Sequence, residues 1–204
     1  MKLFYSAASP YVRKVLVVAH ETGLADRIEF LDAAANPVKR DTAIVRHNPL
    51  GKVPTMLVDG DTALYDSRVI AEYVDAQHDG QRMFPAEGEA RWAALTLQAL
   101  ADGLLDAALL VRYETMMRPK EFVWSDWVDG QMAKIDSAFD EMEKTWAGHL
   151  ETRLDIGTIA VASAIGYLGL RFADHDWRSG HPRVSAWYDS FCERPSMQAT
   201  QPKG

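Results

Sequence analysis

Three short stretches hold residues whose types and spacing suit ligand chemistry. In "SAASPYVRKVL", Ser6 to Leu16, Ser9 precedes Pro10 and apolar residues at helical spacing. On its own Ser9 reads as an N-cap, its oxygen accepting an amide hydrogen from the first turn, with Pro10 as first helical residue. The same position favours a nearby anion, through free amides and the helix dipole. In "NPLGKVPTML", Asn48 to Leu57, Pro54 opens an apolar run behind the cation Lys52. Pro54 can be read as an edge-strand residue and Lys52 as solvated loop. Asp66-Ser67 stands before "RVIAEYV" and offers capping groups at a second helix start. The six histidines are scattered, and none shows metal-ligand spacing.

The elements that must position these residues follow from periodicity. "KLFYS" and "RIEFLDA" alternate and predict strands, with a helix between them that stops at or before Gly23. "NPVKRDTAIVRHNP" predicts loop with a short helix. Thr55 to Val58 and Thr62 to Tyr65 flank Asp59-Gly60-Asp61, a hairpin-turn signature. Val69, Ile70, Tyr73 and Val74 give the next helix its apolar stripe. The order β-α-β-(loop/helix)-β-β-α mixes a crossover with a hairpin, so the sheet should be mixed and the module α/β or α+β. "HDGQRMFPAEGE" breaks the pattern and predicts a linker over 79–87.

The remainder, 88–204, reads as helices. A long one carries Trp92, Leu95, Leu104 and Val111. A second puts Ile135, Phe139, Met142 and Trp146 on one face. Thr152 and Asp155 predict a Thr-x-x-Asp cap before the buried helix "IGTIAVASAIGYLGL", and "PRVSAWYDSFCERP" predicts a short closing helix. The six tryptophans and Cys192 are most simply core.

Bulk composition narrows the class. The 204 residues are 48% hydrophobic and 25% charged, ordinary for a soluble globular protein. Twenty-two basic against 29 acidic residues give a net charge of −7, which argues against nucleic acid as the partner. The lone Cys192 excludes an intrachain disulfide and suits a reducing compartment. No stretch reads as a signal peptide, and the apolar run at 156–170 is too short for a bilayer, so no membrane partner is expected.

"SPYVRKV", "NPLGKVPTML" and "LYDSRVIAEYV", with "TRLDIGTIAVASAIGYL" and "HPRVSAWYDSFCERPS" behind them, resemble the cytosolic glutathione S-transferases in order and spacing, over nearly the whole chain. The bacterial, serine-type members are the nearest in character. The resemblance implies a thioredoxin-like glutathione-binding domain over 1–78, a linker at 79–87, an all-helical domain over 88–204, a homodimer and a cytoplasmic location. It implies glutathione as co-substrate, no metal, and a small hydrophobic electrophile as second substrate.

The resemblance also assigns roles. Ser9 would stabilise the glutathione thiolate, with Ser6 as second choice for the sulfur contact and Tyr5 a packing residue of the strand. Tyr11 would lie near the sulfur. Pro54 would be cis, freeing the Val53 backbone for the ligand's cysteinyl residue as an added strand would, and Lys52 could reach the glycine carboxylate. Ser67 would hold the γ-glutamyl carboxylate and Asp66 face its ammonium. Arg112, Tyr113 and Met116, with Met117, would line the acceptor pocket, and Asp102 could reach a partner subunit's glutathione. Arg13 and Arg68 would form ion pairs or dimer contacts. The absence of cysteine in "SAASPYV" argues against the thiol oxidoreductase members. Rival readings are a glutathione-dependent isomerase, peroxidase or dehalogenase on the same site, and a non-catalytic binding protein.

Overall fold

A computed structural model of the protein describes residues 1–60 and 62–204. The chain divides into two compact units, Met1–Ala86 with Arg194–Gly204, and Glu87–Glu193.

The first unit is built on a four-stranded mixed sheet of order β2-β1-β3-β4, from β1 (Lys2–Tyr5), β2 (Glu29–Asp32), β3 (Thr55–Val58) and β4 (Thr62–Leu64). β1 runs parallel to β2 and antiparallel to β3, and β3 and β4 form the expected hairpin. Its turn signature ends on Asp61, which lies outside the described residues. Three helices serve this sheet: α1 (Pro10–Glu21), α2 (Thr42–Val45) and α3 (Ser67–Asp75). Side chains alternate between the faces of a strand, and on the central strands the middle of β1 and all of β3 are buried. Phe4 and Leu57 cluster with Ile44 of α2, and Leu31, Ala33, Val53 and Ala63 pack against them. Leu3 and Met56, partners in register and fully buried, point to the opposite face, where α1 and α3 pack on one another. α1 ends at Thr22, and Gly23 leaves it at φ 72°, a left-handed conformation open to glycine at little cost.

The second unit holds α4 (Gly88–Met116), α5 (Ser125–Glu141), α6 (Ala147–Thr152), α7 (Ile156–Arg171) and α8 (Pro182–Cys192). Every residue of α7 from Ile156 to Leu168 is buried, and its main neighbour is α4. Gly157 permits that contact: a Cβ there would stand 2.8 Å from the Ala94 carbonyl oxygen and 2.9 Å from the Leu97 Cβ. α4 is long and apolar enough to cross a membrane by length and composition, yet 56% of its most apolar window is buried inside the protein.

Four expectations are corrected. The helical part does not run to 204: Arg194–Gly204, with α9 (Pro195–Ala199), packs with the first unit. Arg194 forms a two-bond ion pair with Glu21, the Met197 carbonyl accepts from Arg13 at 3.2 Å, and the Lys203 amide donates to Ala7. The tail thus runs back along α1 from its end to the loop before its start.

The second long helix is interrupted. A π-helical turn at Met142–Trp146 follows α5, so the stripe Ile135, Phe139 and Met142 stays fully buried while Trp146 rotates to partial exposure. α7 is capped by Asp155 with Thr158 in a capping box, whereas the Thr152 hydroxyl is spent on the Gly148 carbonyl in the last turn of α6. Tryptophan is not uniformly core: Trp177 and Trp187 are buried, but Trp92, Trp124 and Trp127 are exposed. An apolar stripe at helical spacing does not say how far round the helix its neighbours reach.

The predicted linker is tied down. Asp75, buried at the end of α3, accepts from the amides of Met83 at 2.7 Å and Phe84 at 3.1 Å and meets the His78 ring at 3.3 Å. Both anchored side chains are buried.

Candidate functional site

Strand register gathers the residues of the first unit. Phe4 pairs with Thr55, and Met56 with Leu64. The ends of β1 and β4 therefore lie beside the beginning of β3. The chain leaves β1 toward Ser9, enters β3 through Val53-Pro54 and leaves β4 toward Asp66-Ser67. All three stretches come to one end of the sheet, where α1 and α3 both begin.

Ser9 is the N-cap of α1, in extended backbone conformation, and its Oγ accepts from the Val12 amide at 3.2 Å. Its own amide donates to the Ser6 carbonyl at 3.0 Å, which closes the turn before the helix. A hydroxyl carries one hydrogen and two lone pairs, and capping uses a single lone pair. Among the described residues no group accepts the Ser9 hydrogen. Tyr11 is half-buried two residues on, with the Lys14 ammonium 5.9 Å from its ring centre. The Tyr5 ring packs on Phe30 with centroids 4.8 Å apart, as a strand residue would.

The loop into β3 is knotted by a residue absent from the sequence-based site. Asn48 is buried, donates from Nδ2 to the Thr55 hydroxyl at 2.9 Å and accepts on Oδ1 from the Leu50 amide at 3.0 Å. The Thr55 hydroxyl donates in turn to the Lys52 carbonyl at 2.8 Å. Gly51 takes φ 63° between them, and a Cβ there would meet Val45 Cγ2 at 3.3 Å. The Val53-Pro54 bond is cis. The Lys52 side chain is exposed, and Val53 is half-buried.

At α3 the cap is acidic. Asp66 Oδ1 accepts from the Arg68 amide at 2.9 Å, and Oδ2 pairs with the Arg68 guanidinium at 2.9 Å. Burial pulls the Asp66 carboxyl up, but Arg68, with a smaller contribution from Lys14, outweighs it and holds the group below its usual value. Ser67, the first helical residue, is 2% exposed. Arg68 thus forms an ion pair. Arg13 is buried on α1 with no carboxylate among the described residues, its Nη2 satisfied by Met197 and its Nε and Nη1 without partners.

Arg112, Tyr113 and Met116 belong to the second unit, in the last two turns of α4. Met116 is well exposed and Tyr113 partly so. Burial raises the Tyr113 hydroxyl pKa, opposed by Arg112. Asp102 is buried, with partners inside the chain. Among the described residues there is no group of three His, Cys, Asp or Glu that could hold a metal ion.

Residues 8–77 match the family description "Glutathione S-transferase, N-terminal domain", and residues 125–190 match "Glutathione S-transferase, C-terminal domain". A curated relative, the "Uncharacterized GST-like protein YibF" of Escherichia coli (strain K12), is 32% identical over 99% of this chain and 98% of its own. The chain belongs to the glutathione S-transferase family. Glutathione S-transferase F6 of Arabidopsis thaliana is 26% identical, with 97% of each chain covered. A glutathione transferase family member from Pseudomonas fluorescens Pf-5, solved with bound glutathione, superposes with a TM-score of 0.98 at 47% identity, covering 100% of this chain and 99% of that one. A second structure of a glutathione transferase family member from Pseudomonas fluorescens Pf-5 holds S-(propanoic acid)-glutathione, at TM-score 0.93 and 46% identity with both chains covered in full. The fold is the one these transferases share: a thioredoxin-like module with a mixed four-stranded sheet, and a helical part.

Proposed function

We propose that this glutathione S-transferase family member binds glutathione at the sheet end that joins Ser9, Val53-Pro54 and Asp66-Ser67, and holds it as the thiolate for attack on a small electrophile. The observation that carries the reading is the Ser9 hydroxyl: it caps α1 with one lone pair and keeps its hydrogen. Serine is not the nucleophile; it stabilises the nucleophile that glutathione brings. A free thiol has a pKa of about 8.5, so only a few per cent is ionised at neutral pH. Lowering that pKa by roughly 2 units needs about 2.7 kcal/mol in favour of the thiolate. A charge-assisted hydrogen bond of about 1.5–3 kcal/mol and a helix terminus of about 0.3–2 kcal/mol can supply it.

The rest of glutathione has partners of the right kind. The Val53 backbone pairs with the cysteinyl residue, Ser67 and the amides of α3 receive the γ-glutamyl carboxylate, Asp66 meets the ammonium, and Lys52 the glycine carboxylate. Tyr11, Arg112, Tyr113 and Met116 serve the second substrate. Solved relatives that bind glutathione and one of its S-conjugates support this reading. We take the protein to act as a cytoplasmic homodimer.

Calorimetric titration of glutathione at neutral pH, in two buffers of different ionisation enthalpy, tests the reading. Binding with release of a substantial fraction of a proton is the expected result. Ser9→Ala should abolish the release and Ser6→Ala preserve it; the reverse would move the sulfur contact to Ser6. Binding without proton release would leave a carrier, and no binding at millimolar glutathione would sink the reading.

A further inference from the structure

In the second unit, α4 and α7 run side by side from the close approach of Gly157 to Ala94 and Leu97. Counting forward at about 1.5 Å per residue brings the last turns of both helices to the same end of the pair. Four long donor side chains lie there: Arg112 and Tyr113 on α4, Tyr167 and Arg171 on α7. Burial raises the Tyr167 hydroxyl pKa, opposed by Arg112 and Arg171 and reinforced by the Tyr113 hydroxyl, in keeping with the shared end of the helix pair.

The cluster lacks an anionic acceptor. Among the described residues neither arginine has a carboxylate partner, and the Arg171 Nε is buried without a hydrogen bond. Tyr167 is 3% exposed, and no described group hydrogen-bonds its hydroxyl. A cation in the last turn of α7 is favoured by the helix dipole, which accounts for Arg171 alone. It does not account for a second guanidinium or for a bare hydroxyl on a buried ring. Buried polar groups left unpaired are costly, as at the Arg171 Nε, and donors gathered without a carboxylate are what an anion requires. Arginine suits a planar carboxylate in particular, since its fork matches both oxygens.

We propose that Arg112, Tyr113, Tyr167 and Arg171 form a carboxylate-binding subsite. If the transferase reading holds, its occupant is the second substrate, which is then a carboxylate-bearing electrophile rather than a purely apolar one.

The test measures binding first, so that it does not depend on the transferase reading. The full chain is titrated with 3,5-dinitrobenzoate and with 3,5-dinitrobenzamide, which differ in charge but hardly in shape. The carboxylate should bind about tenfold or more tightly than the amide. Tyr167→Phe, which removes one oxygen from a buried ring, should cut that preference severalfold. Arg171→Gln should abolish it and Arg171→Lys restore part of it, with circular dichroism unchanged in each. Equal binding of the two compounds, or a preference that survives both Tyr167→Phe and Arg171→Gln, overturns the proposal. The reacting pair 4-chloro-3,5-dinitrobenzoate and its amide follows with glutathione. There the thiolate sulfur bonds to the ring carbon that carries chlorine and chloride leaves. The carboxylate should show the lower KM, and Arg171→Gln should raise KM for the acid only. Carboxylate preference without glutathione binding would keep the subsite and remove the transferase reading. Proton release by glutathione without carboxylate preference would do the opposite.

Discussion

Helices α1 and α7 both begin on a side chain that caps the first turn, yet the two caps are spent differently. Asp155 is buried and saturated: it accepts from the Gly157 amide at 2.9 Å and the Thr158 amide at 3.2 Å, and its second oxygen meets the His149 ring at 2.8 Å. The Thr158 hydroxyl returns a contact to the Asp155 amide at 3.1 Å. Ser9 makes one capping bond and is half-buried. The same sequence cue, a small polar residue before a helical repeat, thus marks a structural clasp in one place and unspent hydrogen-bonding capacity in the other. Capacity left over, rather than the cap itself, distinguishes the candidate site. α8 stands between them. Its start is capped from outside by Glu143, which accepts from the amides of Arg183 at 3.1 Å and Val184 at 3.0 Å.

The contrast is broken hardest by removing the saturated cap. Asp155→Ala strands two buried amides and the His149 ring, and should cost about 3 kcal/mol in denaturant unfolding. Glutathione affinity per folded molecule should stay within about twofold; a large loss of affinity would show that the two caps are not separable. Giving α1 the acidic cap of α7 sharpens the comparison. Ser9→Asp should keep the unfolding free energy within about 1 kcal/mol, since aspartate caps as well as serine. It should lower kcat/KM about a hundredfold, because a carboxylate beside a thiolate disfavours the anion. Retained activity would show that the hydroxyl hydrogen is idle.

The smallest effect is a pH dependence at the start of α8. Partial burial of His181 disfavours its charged form, but the Trp177 carbonyl and the Asp140 and Glu143 carboxylates outweigh that, and its pKa is raised above the ordinary 6.5. A raised value in the fold means stability fully present below about pH 6.5 and lost as pH climbs through the folded-state pKa. Unfolding free energy measured from pH 6 to 8 should therefore carry a falling component that Asp140→Asn reduces. A profile identical in wild type and variant would assign the shift elsewhere.

Much of this was legible in the residues. Ser9-Pro10, Gly23, Asp66 and the alternating runs each act through local backbone chemistry, so the α/β module could be read in order. The candidate site was partly legible for the same reason, since the groups proposed to hold glutathione sit at helix starts and at one X-Pro bond. What escaped was carried by contacts distant in sequence. Asn48 looks like any loop asparagine until Thr55 comes back to it. Tyr167 and Arg171 sit in a segment whose apolar run announces only burial, and Arg112 lies more than fifty residues away. The π-helical turn after α5 leaves no pattern of its own. The return of residues 194–204 to the first unit could have been suspected only from the charge complementarity of Glu21 and Arg194.

That return has a consequence for synthesis. The first unit is assembled from residues 1–86 and 194–204, with the whole helical unit translated in between. A nascent chain that has completed β4 and α3 still lacks the carbonyl of Met197 for Arg13 and the guanidinium of Arg194 for Glu21. Residues 1–86 are therefore translated before the helical unit but completed only after it, and the helical unit emerges while the sheet module still lacks its closing segment.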